Sequence, residues 1–500
     1  MKTTKKLFSA AALMALLLGV CACGDSTGSV SGTEPTGTQA PDAAVTEAET
    51  EAVNPEEAQH PLPEKDMGGF PMRFYNYDES WLTWAIMQLD AEGETGDNVN
   101  DAIFRRNSRI EETYNCDISE TAVTNTADNF KQLMMSGDDL YEITMVYDEQ
   151  VAQYYCSGLL QSWDVLPYVD TSCSWWSQNA NEVFSLHGKQ FAAVGDFCLG
   201  MASRGFVLLY NKDLMAQFDL DETPYDMVRN NHWTLDKFAE LTKDYAKDLD
   251  GNGVMDEKDQ YATTGAIKLH YGSLITGCGV KYIDVGADGN PYFAIPGNEH
   301  AMDVFQKVFD IHNGTNVHYR VINDVHNGSN EARVFFEEQR TLFNGTSTKG
   351  ISYYRDCDFD IGIIPYPKYD SAQEEYYILT SGTGVATIPV TMPEEHAENV
   401  SILMEALCRD SQKDLLPTYR EVVLKTKYSR DEDSAEMLDI IFAAGTFDLG
   451  LSVFPDVTYY KYMECYQKMK NDFTSLTEKQ APKVEKKISD LLTALDEAQG

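Results

Sequence analysis

Gly205-Phe-Val-Leu-Leu-Tyr-Asn-Lys-Asp-Leu214, followed by Trp233-Thr-Leu-Asp-Lys-Phe238, is the stretch on which the fold turns. Gly205 to Tyr210 is a short unbroken apolar run and reads as a strand, while 235–247 carries a helical pattern. The same alternation extends outward in both directions. Upstream, Met72-Arg-Phe-Tyr-Asn-Tyr77, 117–123 and Tyr141-Glu-Ile-Thr-Met-Val-Tyr147 read as strands. Helices are expected over 97–114 and 127–135, the first with Val99, Ile103, Ile110 and Tyr114 near one face. Downstream, 359–364 and 384–388 read as strands, and 299–312, 331–340, 395–408 and 482–495 as helices. Strands alternating with helices predict α/β layers rather than a sandwich or a bundle. There is no internal repeat of solenoid length.

Residues 67–500 are too many for one small core and imply two lobes. A content of 43% hydrophobic and 11% aromatic residues is that of a globular chain with rings enough to line a site. With 80 acidic residues against 39 basic, the net charge of −41 argues against nucleic acid and anionic membrane surfaces as partners. The same excess suits divalent cations. Beyond Cys23 the cysteines are Cys116, Cys156, Cys173, Cys198, Cys278, Cys357, Cys408 and Cys465, with no CxxC pair, which argues against a thiolate metal site. Export would permit disulfides, but spacing assigns none, and buried free thiols fit equally well. The 9 histidines show no H-E-x-x-H spacing.

The N-terminus reads as an export signal. Lys2, Lys5 and Lys6 precede the apolar run from Leu7 to Val20, which is too short to span a bilayer, a task for about 20 helical residues. In Val20-Cys21-Ala22-Cys23-Gly24-Asp25 a small residue precedes Cys23, so residues 1–22 are expected to be a lipoprotein signal and Cys23 the lipidated residue. Residues 23–66 carry Thr, Ser, Gly, Pro, Ala and Glu with little to bury, and are expected to form an acidic, disordered tether. The chain would then sit on the outer side of a cell membrane, held by its lipid alone.

The quoted stretch resembles the signature of family 1 extracellular solute-binding proteins, the receptors of ABC importers. Tyr141-Glu-Ile-Thr144, Gly362-Ile-Ile-Pro-Tyr-Pro367 and Thr380-Ser-Gly-Thr-Gly-Val-Ala386 resemble further segments of that family in the expected order. The resemblance implies a two-lobed type II periplasmic-binding-protein fold with the ligand in a cleft closed by hinge bending. It implies one lobe from 67–197 with 382–450, a second from 198–381 with 451–500, and hinges at 194–198 and 381–384. The expected activity is non-enzymatic capture of a solute, an oligosaccharide first, by a monomer that delivers it to permease subunits.

Sugars call for flat rings to stack on C–H faces and for polar groups at their edges. Open α/β sheets bind ligands just beyond strand ends. That rule nominates Asn76, Tyr77, Asp78 and Trp81 after the first strand, and Tyr147 and Asp148 after the third. Trp175, Trp176, Asp196 and Arg204 near the first crossing, and Ser381 and Thr383 on the return, complete the set. A cluster at Tyr353, Tyr354 and Arg355 ranks lower for want of a strand end.

Asp248-Leu-Asp-Gly-Asn-Gly-Val-Met-Asp-Glu-Lys-Asp259 fits an EF-hand loop. Asp248, Asp250, Asn252, Asp256 and Asp259 would give side-chain oxygens to Ca²⁺, and Val254 its carbonyl. A helix precedes this loop but an extended segment follows, so a structural half EF-hand is expected. Two other classes compete with a receptor: a secreted glycan-active hydrolase, though no G-x-S-x-G elbow is present, and a surface adhesin.

Overall fold

The structure, a computed structural model, describes residues 55–124, 127–313, 317–321, 329–380, 382–424 and 432–497. The expected signal peptide, Cys23, the tether as far as residue 54, and Ser381 lie outside the described residues; residues 55–66, expected to belong to the disordered tether, are instead ordered, with a helix at Pro55–Gln59 and Leu62 packed on the core. Its main strands, in chain order, are β1 (Phe70–Tyr77), β2 (Cys116–Val123), β3 (Ile143–Tyr147), β4 (Leu160–Gln161), β5 (Phe206–Asn211), β6 (Tyr261–Ala266), β7 (His318–Val321), β8 (Thr341–Ser347), β9 (Ile361–Ile364) and β10 (Gly384–Pro389). They build two five-stranded sheets, ordered β2-β1-β3-β10-β4 and β7-β6-β8-β5-β9. In the first, β1 runs parallel to β2 and β3, and β10 returns antiparallel to β3. In the second, β6 runs parallel to β7 and β8, while β5 is antiparallel to β8 and β9. The chain therefore leaves the first sheet after β4, builds the whole second sheet, and comes back as β10.

The quoted stretch lies at the centre of the second sheet. Every residue of β5 is buried, and Asn211 ends the strand by capping the next helix, its side chain accepting from the Leu214 N–H at 2.9 Å. Trp233 is fully buried beside Phe238 and Phe343, and its indole N–H donates to the Pro365 carbonyl at 2.9 Å. Thr234 caps helix Leu235–Thr242, accepting from the Lys237 N–H. That helix stops short of the 247 expected, because Lys247 is pulled into a two-way backbone pairing with Gln260 at the base of the acidic loop.

Helix Glu432–Ala443, which a lobe boundary at 450 would give to the first sheet, packs against β9 of the second. Its Leu438 and Ile441 share a core with Val207, Leu209, Ile361 and Ile363, and this apolar stripe decides its place. The helix expected over 482–495 runs as Phe473–Glu497 and lies against both helix Asp148–Cys156 of the first layer and the short strand Pro291–Phe293 of the second. No helix among the described residues is long and apolar enough to cross a membrane.

Candidate functional site

The ends of β1 and β3 carry a group of rings. Trp81 stacks on Tyr77 with centroids 4.8 Å apart and planes 16° apart, and meets Tyr147 edge-on at 6.0 Å. Trp84 adjoins Trp81 at 6.3 Å. Tyr77 is buried, whereas Trp81, Trp84 and Tyr147 keep part of their surface open. The Tyr77 hydroxyl accepts from the Tyr147 N–H and ties the two strand ends together.

Gly382, on the return segment, locks this group to the crossing. Its N–H donates to Asp148 Oδ2 at 2.8 Å, and its carbonyl accepts from Trp84 Nε1 at 2.9 Å. Gly382 has φ of 84°, and a Cβ there would lie 3.1 Å from Arg204 Nη2 and 3.2 Å from the Tyr147 hydroxyl. Only glycine meets both demands. Asp148 is fully buried, and burial, with Glu149 next to it, holds its carboxyl well above the usual range. Arg204, at the end of helix Gly200–Arg204, is also buried, and desolvation lowers its pKa although Tyr147, Tyr459, Asp148 and Tyr460 all favour its charge.

The second layer and the C-terminal helices bring further groups close by. Lys268, on helix Ile267–Gly277, places its ammonium 4.5 Å from the centroid of the Tyr460 ring. Tyr460 donates to Glu149 Oε1, and Tyr459 donates to the Lys268 carbonyl at 2.9 Å. Burial raises the Glu149 carboxyl. Trp84, Glu149, Lys268, Tyr459 and Tyr460 are additions that the strand-end rule did not reach. Beside the rings, Tyr77 and Asp78 also border an acidic cavity of about 420 Å³ with Gln88, Asp90 and Glu120. Rings, carboxylates and two cations drawn from both layers thus face one region.

The remaining nominated residues are placed elsewhere. Trp175 and Trp176 are core: each indole N–H donates to the buried Glu405 carboxylate, at 2.7 and 2.8 Å, so neither has its polar edge to offer a ligand. Asn76 is fully buried, its amide donating to the Met87 carbonyl and to Glu120. Thr383 is buried as well, its hydroxyl on the Met87 sulfur and its carbonyl on the Asp148 N–H. Asp196 lines a separate cavity of about 630 Å³ with Trp176, Met201, Tyr419, Arg420 and Phe442. Burial pushes its carboxyl up to about 7 against a hydrogen bond from Gln412. In the lower-ranked cluster, Tyr354 is core, with its hydroxyl on the Asn344 amide, while Tyr353 is exposed.

The acidic loop is wound as its sequence implied. Asp248 accepts from the Gly251 and Gly253 N–H groups, both at 2.7 Å, and Gly253 makes the turn with φ of 79°. One oxygen from each of Asp248, Asp250 and Asp259 lies within 4.8 Å of the other two. Asp259 is fully buried and fixed by the Leu249 and Asp256 N–H groups at 2.9 and 2.8 Å. Asn252 and Asp256 accept from the Val254 and Lys258 N–H groups. A hard, oxygen-seeking cation fits this donor set.

No protein-family model and no curated protein sequence matches the chain. Solved structures do share its fold. One is an ABC substrate-binding protein of Listeria monocytogenes in complex with cycloalternan, at TM-score 0.52 and 11% identity, covering 84% of this chain and 99% of that one. Another is a cyclo/maltodextrin-binding protein complexed with maltotetraose, at TM-score 0.52 and 14% identity, covering 86% of this chain and 98% of that one. The chain has the two-lobed α/β fold of these binding proteins.

Proposed function

We propose that this chain is the substrate-binding lipoprotein of an ABC importer, a monomer that captures an oligosaccharide between its two sheets and hands it to membrane permease subunits. The carrying observation is the ring group of Tyr77, Trp81, Trp84 and Tyr147, with Arg204 and Tyr460 close to Tyr147 and Lys268 beside Tyr460. Rings of this kind stack on the C–H faces of pyranoses, and the carboxylates and cations around them suit hydroxyl groups at the edges. A ligand touching residues of both layers favours the closed form of a hinged pair. The neighbours' ligands, cycloalternan and maltotetraose, are sugars of this class.

On this reading residues 1–22 direct export, Cys23 carries the lipid on the outer face of the cell membrane, and the tether spaces the receptor from its transporter. The loop at 248–259 takes a structural Ca²⁺ that braces the link between helix Leu235–Thr242 and β6. The function is binding without turnover. A panel of linear and cyclic oligosaccharides tests it, with tryptophan fluorescence and product release followed together. A saturable fluorescence change without product is expected; released product would replace the receptor by a hydrolase.

A further inference from the structure

Three histidines that play no part in the sugar site meet inside the second layer. His270 lies on helix Ile267–Gly277, His312 near the end of helix Glu299–Asn313, and His318 begins β7. Their exposures are 1%, 6% and 3%. One ring nitrogen of each lies within 4.8 Å of one from both others. No spacing motif announces them; the fold alone gathers them.

Each ring is already oriented through Nδ1. His312 Nδ1 bonds the Val308 carbonyl at 2.9 Å, His318 Nδ1 pairs with Thr263 Oγ1 at 2.8 Å, and His270 Nδ1 with the Tyr366 hydroxyl at 3.1 Å. A carbonyl can only accept, so His312 carries its proton on Nδ1 and presents a bare lone pair at Nε2. Nε2 of His270 and of His312 has no hydrogen-bond partner among the described residues. Buried polar atoms are seldom left this way. Tyr271 packs 4.6 Å from His312, and Phe238 borders His270 and His312, so the surroundings are largely aromatic.

We propose that this cluster is a transition-metal site that binds one dication of the Zn²⁺ class through a ring nitrogen each of His270, His312 and His318. Imidazole nitrogen suits Zn²⁺, Cu²⁺, Ni²⁺ and Co²⁺, whereas Ca²⁺ and Mg²⁺ require oxygens. The site is therefore chemically distinct from the loop at 248–259. Hydrogen bonds on the second ring nitrogen are the usual means of orienting a ligating imidazole, and each ring has such a partner at Nδ1. No thiolate or carboxylate joins the cluster among the described residues, which leaves a fourth position to water. His270 and His318 stack at 4.6 Å with planes 3° apart. Because the ligating lone pair lies in the ring plane, binding turns one or both rings edge-on to the ion. The ion would then clamp two helices to β7, a structural role independent of ligand capture.

The test uses the mature chain, unfolded in chelator and refolded with Zn²⁺ or Co²⁺, then freed of loose metal by gel filtration. One ion per chain by elemental analysis is expected, with the intense visible absorption of low-coordinate Co²⁺ and a higher melting temperature than the chelated chain. H270Q and H312Q should each lose the ion, while H232Q, altered at an exposed histidine, keeps it. Metal well below one per chain, a Co²⁺ spectrum of six-coordinate type, or retention of the ion in H270Q and H312Q would overturn the proposal. If both core variants misfold, the Co²⁺ spectrum of the parent chain decides alone.

Discussion

Removing the Glu405 carboxylate separates a structural from a ligand-binding role for the paired tryptophans. Glu405 is fully buried and accepts from Trp175 Nε1, Trp176 Nε1 and the Asp170 N–H at 2.7, 2.8 and 2.9 Å, with Arg409 Nη2 at 3.4 Å. In Glu405→Ala these donors lose their acceptor and the Arg409 charge loses its partner. Each buried donor left unpaired costs about 1–3 kcal/mol, so the sum is roughly 3–6 kcal/mol even with partial relaxation. For a lobe of about 200 residues that corresponds to a fall in melting temperature on the order of 10 °C. Glu405→Gln retains one acceptor oxygen but turns an NH₂ group towards a donor, and should fall between Ala and the parent. Differential scanning calorimetry, paired with titration of the sugar found in the panel, reads both consequences. The expected result is a large loss of stability with sugar affinity kept in whatever fraction stays folded. A melting temperature within about 2 °C of the parent, or affinity lost without instability, would refute the assignment of these indoles to the core.

Other outcomes follow from the same structure. Asp196 has its pKa raised by burial from 3.8 to about 7, so the folded state favours its protonated form. Stability from this group is complete below about pH 4 and is lost as pH rises through about 7. Asp196→Asn should therefore raise the melting temperature at pH 8 and leave it nearly unchanged at pH 4; a gain that is larger at pH 4 contradicts the burial argument. Ca²⁺ added to the chelated chain should raise its melting temperature, an effect that Asp248→Asn abolishes; no calorimetric heat with Ca²⁺ refutes the loop's role. Cys23→Ser should release the protein to the medium with its ligand affinity intact, as fractionation and titration of the secreted chain will show.

Much of the fold was legible in the sequence because it is written locally. The run Phe206–Asn211 and the stretch from Trp233 needed only apolar pattern and length to be read. The turn of the acidic loop was legible for the same reason, its carboxylates and turn glycines falling within one short segment. The candidate site was legible only in part. Tyr77, Trp81 and Tyr147 stand at strand ends where a local rule finds them. Tyr460 and Lys268 reach the same place from separate helices, and no spacing links either to Glu149 or to the other. Trp175 and Trp176 misled because a tryptophan beside a crossing looks the same whether it faces a cleft or a buried carboxylate. The residue that decides, Glu405, lies on a helix far along the chain. The histidine cluster was hidden in the same way, since its members meet only once two helices and β7 have packed.

The central claim is that Tyr77, Trp81 and Tyr147 form the platform on which an oligosaccharide lies. Isothermal titration of the parent chain and of Trp81→Ala with the same sugar tests it most directly. Trp81 is part-exposed and stacks on Tyr77, and its removal takes away ring burial and stacking worth about 1–3 kcal/mol, a loss of roughly five- to 150-fold in affinity. That loss, with the melting temperature of the free protein held within a few degrees, is the result the account predicts. Unchanged affinity in a folded Trp81→Ala protein would contradict it and place the ligand elsewhere.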